Sequence, residues 1–296
     1  MDAFRTPDER FADLPGFPYE PRYRDWRGLR LAHVDEGDGP PVVMLHGQPT
    51  WSYLFRKVMP PLLGAGHRCV APDLPGFGRS DKPTDDGWYS IDRHTEAVAS
   101  LLEDLDLRDV TLLMHDWGGP LGLRVATAYA PERIARLVVM DSVLTGEQDL
   151  GDYWRNFRDL VAARPHLPVG RIVRLGCRHR PPREVAAAYD APFPDGGAQA
   201  GVRAFPNLIP FGPDEPGADA IRSMVDALRG ETRPTLLLWA EADPIFPRER
   251  FAAQLVELIP SAGGRLDVVE DAGHFLQEDQ GELIGATVAA WLDSSS

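Results

Sequence analysis

The stretch from Val110 to Gly119 constrains the fold more than any other. Val110-Thr111-Leu112-Leu113-Met114 is a continuous apolar run, His115-Asp116-Trp117-Gly118-Gly119 is a glycine-assisted turn, and a helical pattern opens at Pro120. An apolar run without polar alternation reads as a strand covered on both faces, the kind that parallel sheets contain. A strand, a sharp turn and a helix in succession raise the residue at the apex above the sheet's carboxyl edge. The usual form of that turn, Gly-x-Ser-x-Gly, puts serine at the apex; here the apex is Asp116, and Met114 stands at the first glycine position. A serine hydroxyl must lose a proton to attack, whereas a carboxylate is already ionised near neutral pH and can displace a leaving group from saturated carbon. That attack leaves an ester on the protein itself, which water must then cleave.

The rest of the chain supplies a sheet for this turn. Apolar runs at Leu29–Val34, Val42–Leu45, Arg68–Ala71, Leu137–Met140, Thr235–Trp239 and Leu266–Val269 alternate with helical patterns around 53–63, 91–105, 120–130, 248–258 and 281–292. Such alternation predicts an α/β fold with a doubly wound, mostly parallel sheet. Between Met140 and Thr235 no clear sheet strand is visible, and the segment is rich in Arg, Pro, Gly and aromatic residues. It is too long for a plain loop and predicts an inserted helical cap over the carboxyl edge, where open α/β sheets bind ligands. The expected division is a core at 1–145, a cap at 146–230 and the second part of the core at 231–296. A cap so placed would roof the site and exclude water from it.

Composition narrows the function classes. The 31 basic and 45 acidic residues give a formal charge of −14, which repels phosphate backbones and anionic lipid, so nucleic acid and membrane partners are not expected. Cys69 and Cys177 are the two cysteines of the chain and show no metal-ligand spacing; two reduced thiols, no disulfide and no metal are the reading. The start of the chain lacks the apolar core of a signal peptide and no apolar segment reaches membrane-spanning length, so a soluble cytoplasmic protein is expected. A monomer and a small homo-oligomer both remain open.

Partners for Asp116 stand in the order nucleophile, acid, histidine that hydrolases with this turn follow. Of the eight histidines, His274 alone combines that order with a post-strand Gly-His turn, in Glu270–Leu276. The acid orienting its imidazole is Asp243, after the preceding strand, with Asp141, after the strand ending at Met140, as second choice. Asp271 reads as a turn former. The stretch from His46 to Tyr53 follows its strand where these folds build half of an oxyanion hole, so the backbone N–H groups of Gln48 and Trp117 would point at the carbonyl oxygen of an Asp116 ester.

Together the stretches His46–Lys57, Asp73–Pro83 and Asp116–Gly119 make the chain resemble a haloalkane dehalogenase of the α/β-hydrolase superfamily. The resemblance continues through Tyr189–Pro194, Gln199–Pro206 and Gly273–Glu278. It implies that Asp116 is the nucleophile, that His274 is the general base, and that two indole N–H groups hold the departing halide. The first indole would be Trp117. One branch of the family takes the second from a cap tryptophan, best matched here by Trp154, and its acid matches Asp243. The other branch uses an asparagine where this chain has Gln48 and an acid where it has Asp141. The cap and the 46–57 stretch place the chain nearer the first branch, although Gln48 departs from that branch's usual glutamate; a backbone donor is unaffected by that change.

An indole N–H donates without accepting, so in a dry apolar pocket it favours a forming anion. The resulting expectation is cofactor-free hydrolysis of a small apolar haloalkane by water, giving a primary or secondary alcohol, halide ion and a proton. Two rivals share parts of this constellation. An epoxide hydrolase would add cap tyrosines, for which Tyr153 and Tyr189 are the candidates. A non-catalytic ligand-binding protein on the same fold would lack one member of the nucleophile, base and acid set.

Overall fold

The protein is described from a computed structural model covering residues 2–144, 151–210, 212 and 214–294; the side chains of Tyr153 and Ala162 are outside this description. Eight strands form the main sheet: β1 (Arg22–Trp26), β2 (Leu29–Glu36), β3 (Pro41–Leu45), β4 (Arg68–Pro72), β5 (Val110–His115), β6 (Ile134–Met140), β7 (Thr235–Ala240) and β8 (Asp267–Val269). Their spatial order is β8-β7-β6-β5-β3-β4-β2-β1. From β4 to β8 all neighbours are parallel, while β1 with β2 and β2 with β4 are antiparallel. Every residue of β5 and β7 is buried, as expected of apolar strands covered by helices on both faces.

The sequence patterns locate seven of these strands. They miss β1, whose Arg22-Tyr23-Arg24-Asp25-Trp26 carries little apolar signal because it is an edge strand with mostly exposed side chains. Its hairpin signal is the Arg27-Gly28 pair, at φ +54° and +79°, the conformation of a two-residue turn that favours Gly. The helix expected at 53–63 is instead a 3₁₀ turn at Ser52–Lys57 followed by α1 (Met59–Gly64). α2 spans Ile91–Asp104, and α3 (Gly118–Arg124) begins two residues before Pro120 and continues as a wider π turn to Tyr129.

Between β6 and β7 the described residues add no strand. They form α4 (Asp152–Ala162), α5 (Val169–Gly176), α6 (Arg183–Asp190), α7 (Ala200–Ala204) and α8 (Ala218–Leu228). α9 (Arg248–Leu258) and α10 (Leu276–Ser294) complete the chain. β3 leads to β4 on one side of it, and the chain then returns to β5 on its other side, which makes the β3–β5 gap the point where strand order reverses. Loops at such a point diverge and leave a crevice at the strands' carboxyl ends. Gln48 follows β3 and Asp116 follows β5, so both candidate residues sit there.

Candidate active site

Asp116 occupies the apex between β5 and α3 at φ +51°, a left-handed conformation that costs a non-glycine residue roughly 1 kcal/mol. The surrounding structure over-determines it. The Asp116 N–H donates to the Met140 carbonyl at 3.4 Å, the Ser142 hydroxyl donates to the Asp116 carbonyl at 2.9 Å, and the Gly119 N–H donates to that same oxygen at 2.9 Å. Small residues make the turn fit: a Cβ on Gly119 would lie 1.8 Å from Ser142 Oγ, and one on Gly118 would lie 2.1 Å from the Leu45 carbonyl oxygen.

The carboxylate has two distinct oxygens. Oδ1 accepts the backbone N–H of Gln48 at 2.8 Å, while Oδ2 lies 3.6 Å from His274 Nε2, too far for a hydrogen bond but close enough for strong attraction to an imidazolium. The Gln48 side chain turns away and donates to the Val202 carbonyl at 3.2 Å. Gly47 is a necessity of this approach, because a Cβ there would fall 2.0 Å from Asp116 Oδ1.

His274 Nδ1–H donates to Asp243 Oδ2 at 2.9 Å, which leaves Nε2 facing Asp116. Asp243 Oδ1 in turn accepts the N–H groups of Ile245 at 2.7 Å and Phe246 at 2.9 Å. Burial alone would raise the Asp243 carboxyl, but His274 and these two donors hold it below its ordinary value. Burial likewise disfavours charge on His274, and the Asp243 and Asp116 carboxylates outweigh it, so the imidazole rises well above its usual value.

Asp141 is close by but engaged differently. It is fully buried at φ +36°, its Oδ1 accepts the Ala240 N–H at 2.8 Å, and its Oδ2 has no partner among the described residues. Burial and the adjacent Asp243 charge push its carboxyl well above the ordinary range, the reverse of the shift at Asp243. His115 completes the surround: burial lowers it to about 4, and its Nε2–H donates to the His274 carbonyl at 2.8 Å. His115, Asp141 and His274 bring one nitrogen or oxygen each within 4.8 Å of one another. Neither His115 nor Ser142 stands out in the sequence as a site residue; both sit one position from a candidate, and only the fold reveals what they hold. Asp271 lies apart at φ +55°, exposed and paired with His179.

Above Asp116 lies a tight cavity with about 20 Å³ of free volume. Asp116, Trp117 and Trp154 supply its polar groups; the other lining side chains, among them Ile91, Pro120, Leu208, Ile221 and Phe246, are apolar. Trp117 is buried edge-on against Phe205 at 5.2 Å. Trp154, from α4, is stacked against Phe246 at 6.4 Å, and its buried indole N–H has no acceptor among the described residues. Leaving such a donor unpaired is costly. Tyr189 does not line the cavity; its hydroxyl donates to Glu278 at 2.5 Å. Tyr153 lies in the first turn of α4, but its side chain is outside the described residues.

Comparison with known proteins agrees with this architecture. Residues 40–280 match the α/β-hydrolase fold family. Haloalkane dehalogenase 1 of Mycobacterium tuberculosis is 47% identical over 98% of this chain and 99% of its own length. The haloalkane dehalogenase of Mycobacterium marinum is 44% identical over 98% of this chain and all of its own. Among solved structures, the tetrameric haloalkane dehalogenase DpaA from Paraglaciecola agarilytica superposes with a TM-score of 0.89 at 36% identity, covering 100% of this chain and 99% of its own. DbeA from Bradyrhizobium elkani gives 0.83 at 27% identity, over 93% and 98%. With full-length relatives at this identity and the same fold throughout, the chain belongs to the haloalkane dehalogenases, hydrolases of carbon–halide bonds built on the α/β-hydrolase fold.

Proposed function

We propose that the protein hydrolyses small apolar haloalkanes with Asp116 as nucleophile, His274 as general base, Asp243 as its acid partner, and Trp117 and Trp154 as the halide cradle. Asp116 Oδ2 attacks the halogen-bearing carbon, because Oδ1 is held by the Gln48 N–H. The carbon–halogen bond breaks, the halide takes the bonding pair, and the two indole N–H groups receive the anion in a pocket whose other described lining side chains, Asp116 apart, are apolar. The ester so formed keeps Oδ1 as its carbonyl oxygen. Ester formation removes the Asp116 charge that helps hold a proton on His274; the imidazole releases that proton and, free at Nε2, takes one from water, the hydroxide attacks Asp116 Cγ, and the negative charge on Oδ1 is met by the N–H groups of Gln48 and Trp117. Collapse breaks the bond between Cγ and the alkoxy oxygen, the leaving oxygen takes up the proton of the added hydroxyl so that alcohol departs and the carboxylate is restored, and His274 releases to solvent the proton it took from water. Asp243 keeps Nδ1 protonated, so that Nε2 is the basic nitrogen. The segment 146–230 acts as the cap in this scheme, contributing Trp154, Leu208 and Ile221 to a roof that excludes bulk water.

The observation that carries this reading is the composition of the cavity: one carboxylate and two indoles in an otherwise apolar lining. An epoxide hydrolase needs hydroxyl donors over the nucleophile; of the two tyrosine candidates, Tyr189 is turned to Glu278 instead, and the side chain of Tyr153 lies outside the described residues. One relative is tetrameric; a small homo-oligomer is compatible with this chain, and light scattering tests it. No helix among the described residues is long and apolar enough to cross a membrane. The chemical test is His274→Phe, incubated with a haloalkane and digested for mass spectrometry. Alkylated Asp116 is the expected result; a folded variant that binds haloalkane yet leaves Asp116 unmodified would contradict the scheme.

A further inference from the structure

Three stretches that carry the family resemblance take no part in that chemistry: the end of His46–Lys57, Tyr189–Pro194, and the residues after His274. They meet at Glu278 and Asp279, two consecutive carboxylates in the first turn of α10. The buried Glu278 carboxylate receives both guanidinium arms of Arg56 and the hydroxyl of Tyr189 from α6, while Lys57 Nζ donates to its backbone carbonyl at 2.6 Å. Asp279 accepts the N–H groups of Arg178 at 2.8 Å and His179 at 2.9 Å, just past α5. The oxygen that takes Arg178 also takes the N–H of Gly273 at 2.9 Å, next to the base. Packing repeats the connection: a Cβ on Gly176, at the end of α5, would lie 2.6 Å from the Phe275 ring, and one on Gly273 would lie 2.4 Å from the Gly176 carbonyl oxygen. No slack exists between α5 and the loop that bears His274.

We propose that Tyr189, Glu278 and Asp279 are positioning residues for the hydrolytic half of the reaction, fastening α5 and α6 to the His274 loop so that roof and base hold one position together. The inference rests on His274 being the base. Alkylation of Asp116 draws on β3, β5 and α4, and the carboxylates reach only the far end of the stretch after β3, at Arg56 and Lys57 rather than at Gln48; cleavage of the ester draws on His274, whose loop Asp279 holds at the adjacent Gly273. Loosening the fastening therefore slows the second half-reaction and spares the first.

The test uses Tyr189→Phe and Asp279→Ala in the full chain, with 1-bromobutane as probe and rapid-quench mass spectrometry of Asp116. Tyr53→Phe is the control: it also loses a buried hydroxyl, and its ring packs edge-on to Tyr189 at 5.2 Å, but that hydroxyl donates to the Pro15 carbonyl. Single-turnover decay of the ester is expected to slow by roughly tenfold in both variants, since small displacements of a catalytic group cost rates of this order. kcat and KM should fall together with kcat/KM unchanged, because only a step after the first irreversible one is affected. A general loss of folded enzyme would lower kcat/KM without prolonging the ester. That outcome, or an equal effect in Tyr53→Phe, or unaltered ester decay, overturns the proposal. His274→Phe in the same assay separates the two layers: if it carries no ester, the role of His274 itself falls, and if it does while the other variants behave as wild type, only the fastening falls.

Discussion

Asp141 and Asp243 lie beside the same imidazole, yet their surroundings shift the two carboxyls in opposite directions. Asp243 has His274 and two N–H donors; Asp141 has one N–H donor and the neighbouring anion. A carboxyl raised by folding takes up a proton that the unfolded chain releases, so stability from this group falls as pH rises from about 4 towards the folded value. Asparagine has no such slope. Asp141→Asn is therefore expected to be more stable than the native chain at neutral pH, with the gain shrinking towards about pH 4. Urea unfolding across that range checks it; a gain that grew in acid would show the sign to be wrong. The indoles give a second residue-scale expectation. Trp154→Phe keeps the ring face against Phe246 but removes the N–H, and a charge-assisted bond of about 1.5–3 kcal/mol corresponds to a loss of about one to two orders of magnitude in halide formation. Stopped-flow halide release measures it, and a rate within twofold of wild type, on the order of thermal noise in such energies, would remove Trp154 from the cradle.

At the scale of elements, the site depends on how closely the turn after β3 approaches the turn after β5. Gly47→Ala puts a methyl group into the Asp116 carboxylate, and displacing a nucleophile by even 1 Å costs about 100-fold in rate. Gly64→Ala is the contrast, since nothing lies within 4 Å of the added carbon at the end of α1; it should leave activity intact and be neutral or stabilising by about 0.5 kcal/mol. Steady-state kinetics and thermal melts of the pair provide the check. These two strands were legible in the sequence because both-face burial writes itself as an uninterrupted apolar run, and β1 was not, because an edge strand needs no such run. The candidates Asp116, Gln48, Trp117, Asp243 and His274 converge because each follows a legible strand. Trp154 was reached only through resemblance, since a tryptophan on a helix of unknown orientation has no pattern of its own. Ser142 and His115 were unreadable for a different reason: their bonds are to backbone oxygens of residues distant in sequence.

Over the whole molecule, the first residues act as a strap across core and helical segment. Ala3–Phe4 pairs with Lys82–Pro83, Arg5 grips Asp81 through two hydrogen bonds, and Thr6 and Arg10 donate to the carbonyls of Pro192 and Ala191. Phe11 packs edge-on against Trp51. Deleting residues 2–12 should lower Tm by roughly 10 °C, from one buried aromatic ring and several hydrogen bonds at about 1–2 kcal/mol each; calorimetry showing an unchanged Tm would mean that the strap merely rests on the surface. The strap itself carries no sequence signal, because its polar partners lie far along the chain. In the proposed scheme the chemistry returns to a single covalent event at the apex of one turn. One turnover in water enriched in heavy oxygen, followed by mass spectrometry of the peptide containing Asp116, tests that event most directly. The expected result is one heavy oxygen in the Asp116 carboxylate and ordinary oxygen in the alcohol; heavy oxygen in the alcohol with Asp116 unlabelled would mean that water attacks the substrate itself.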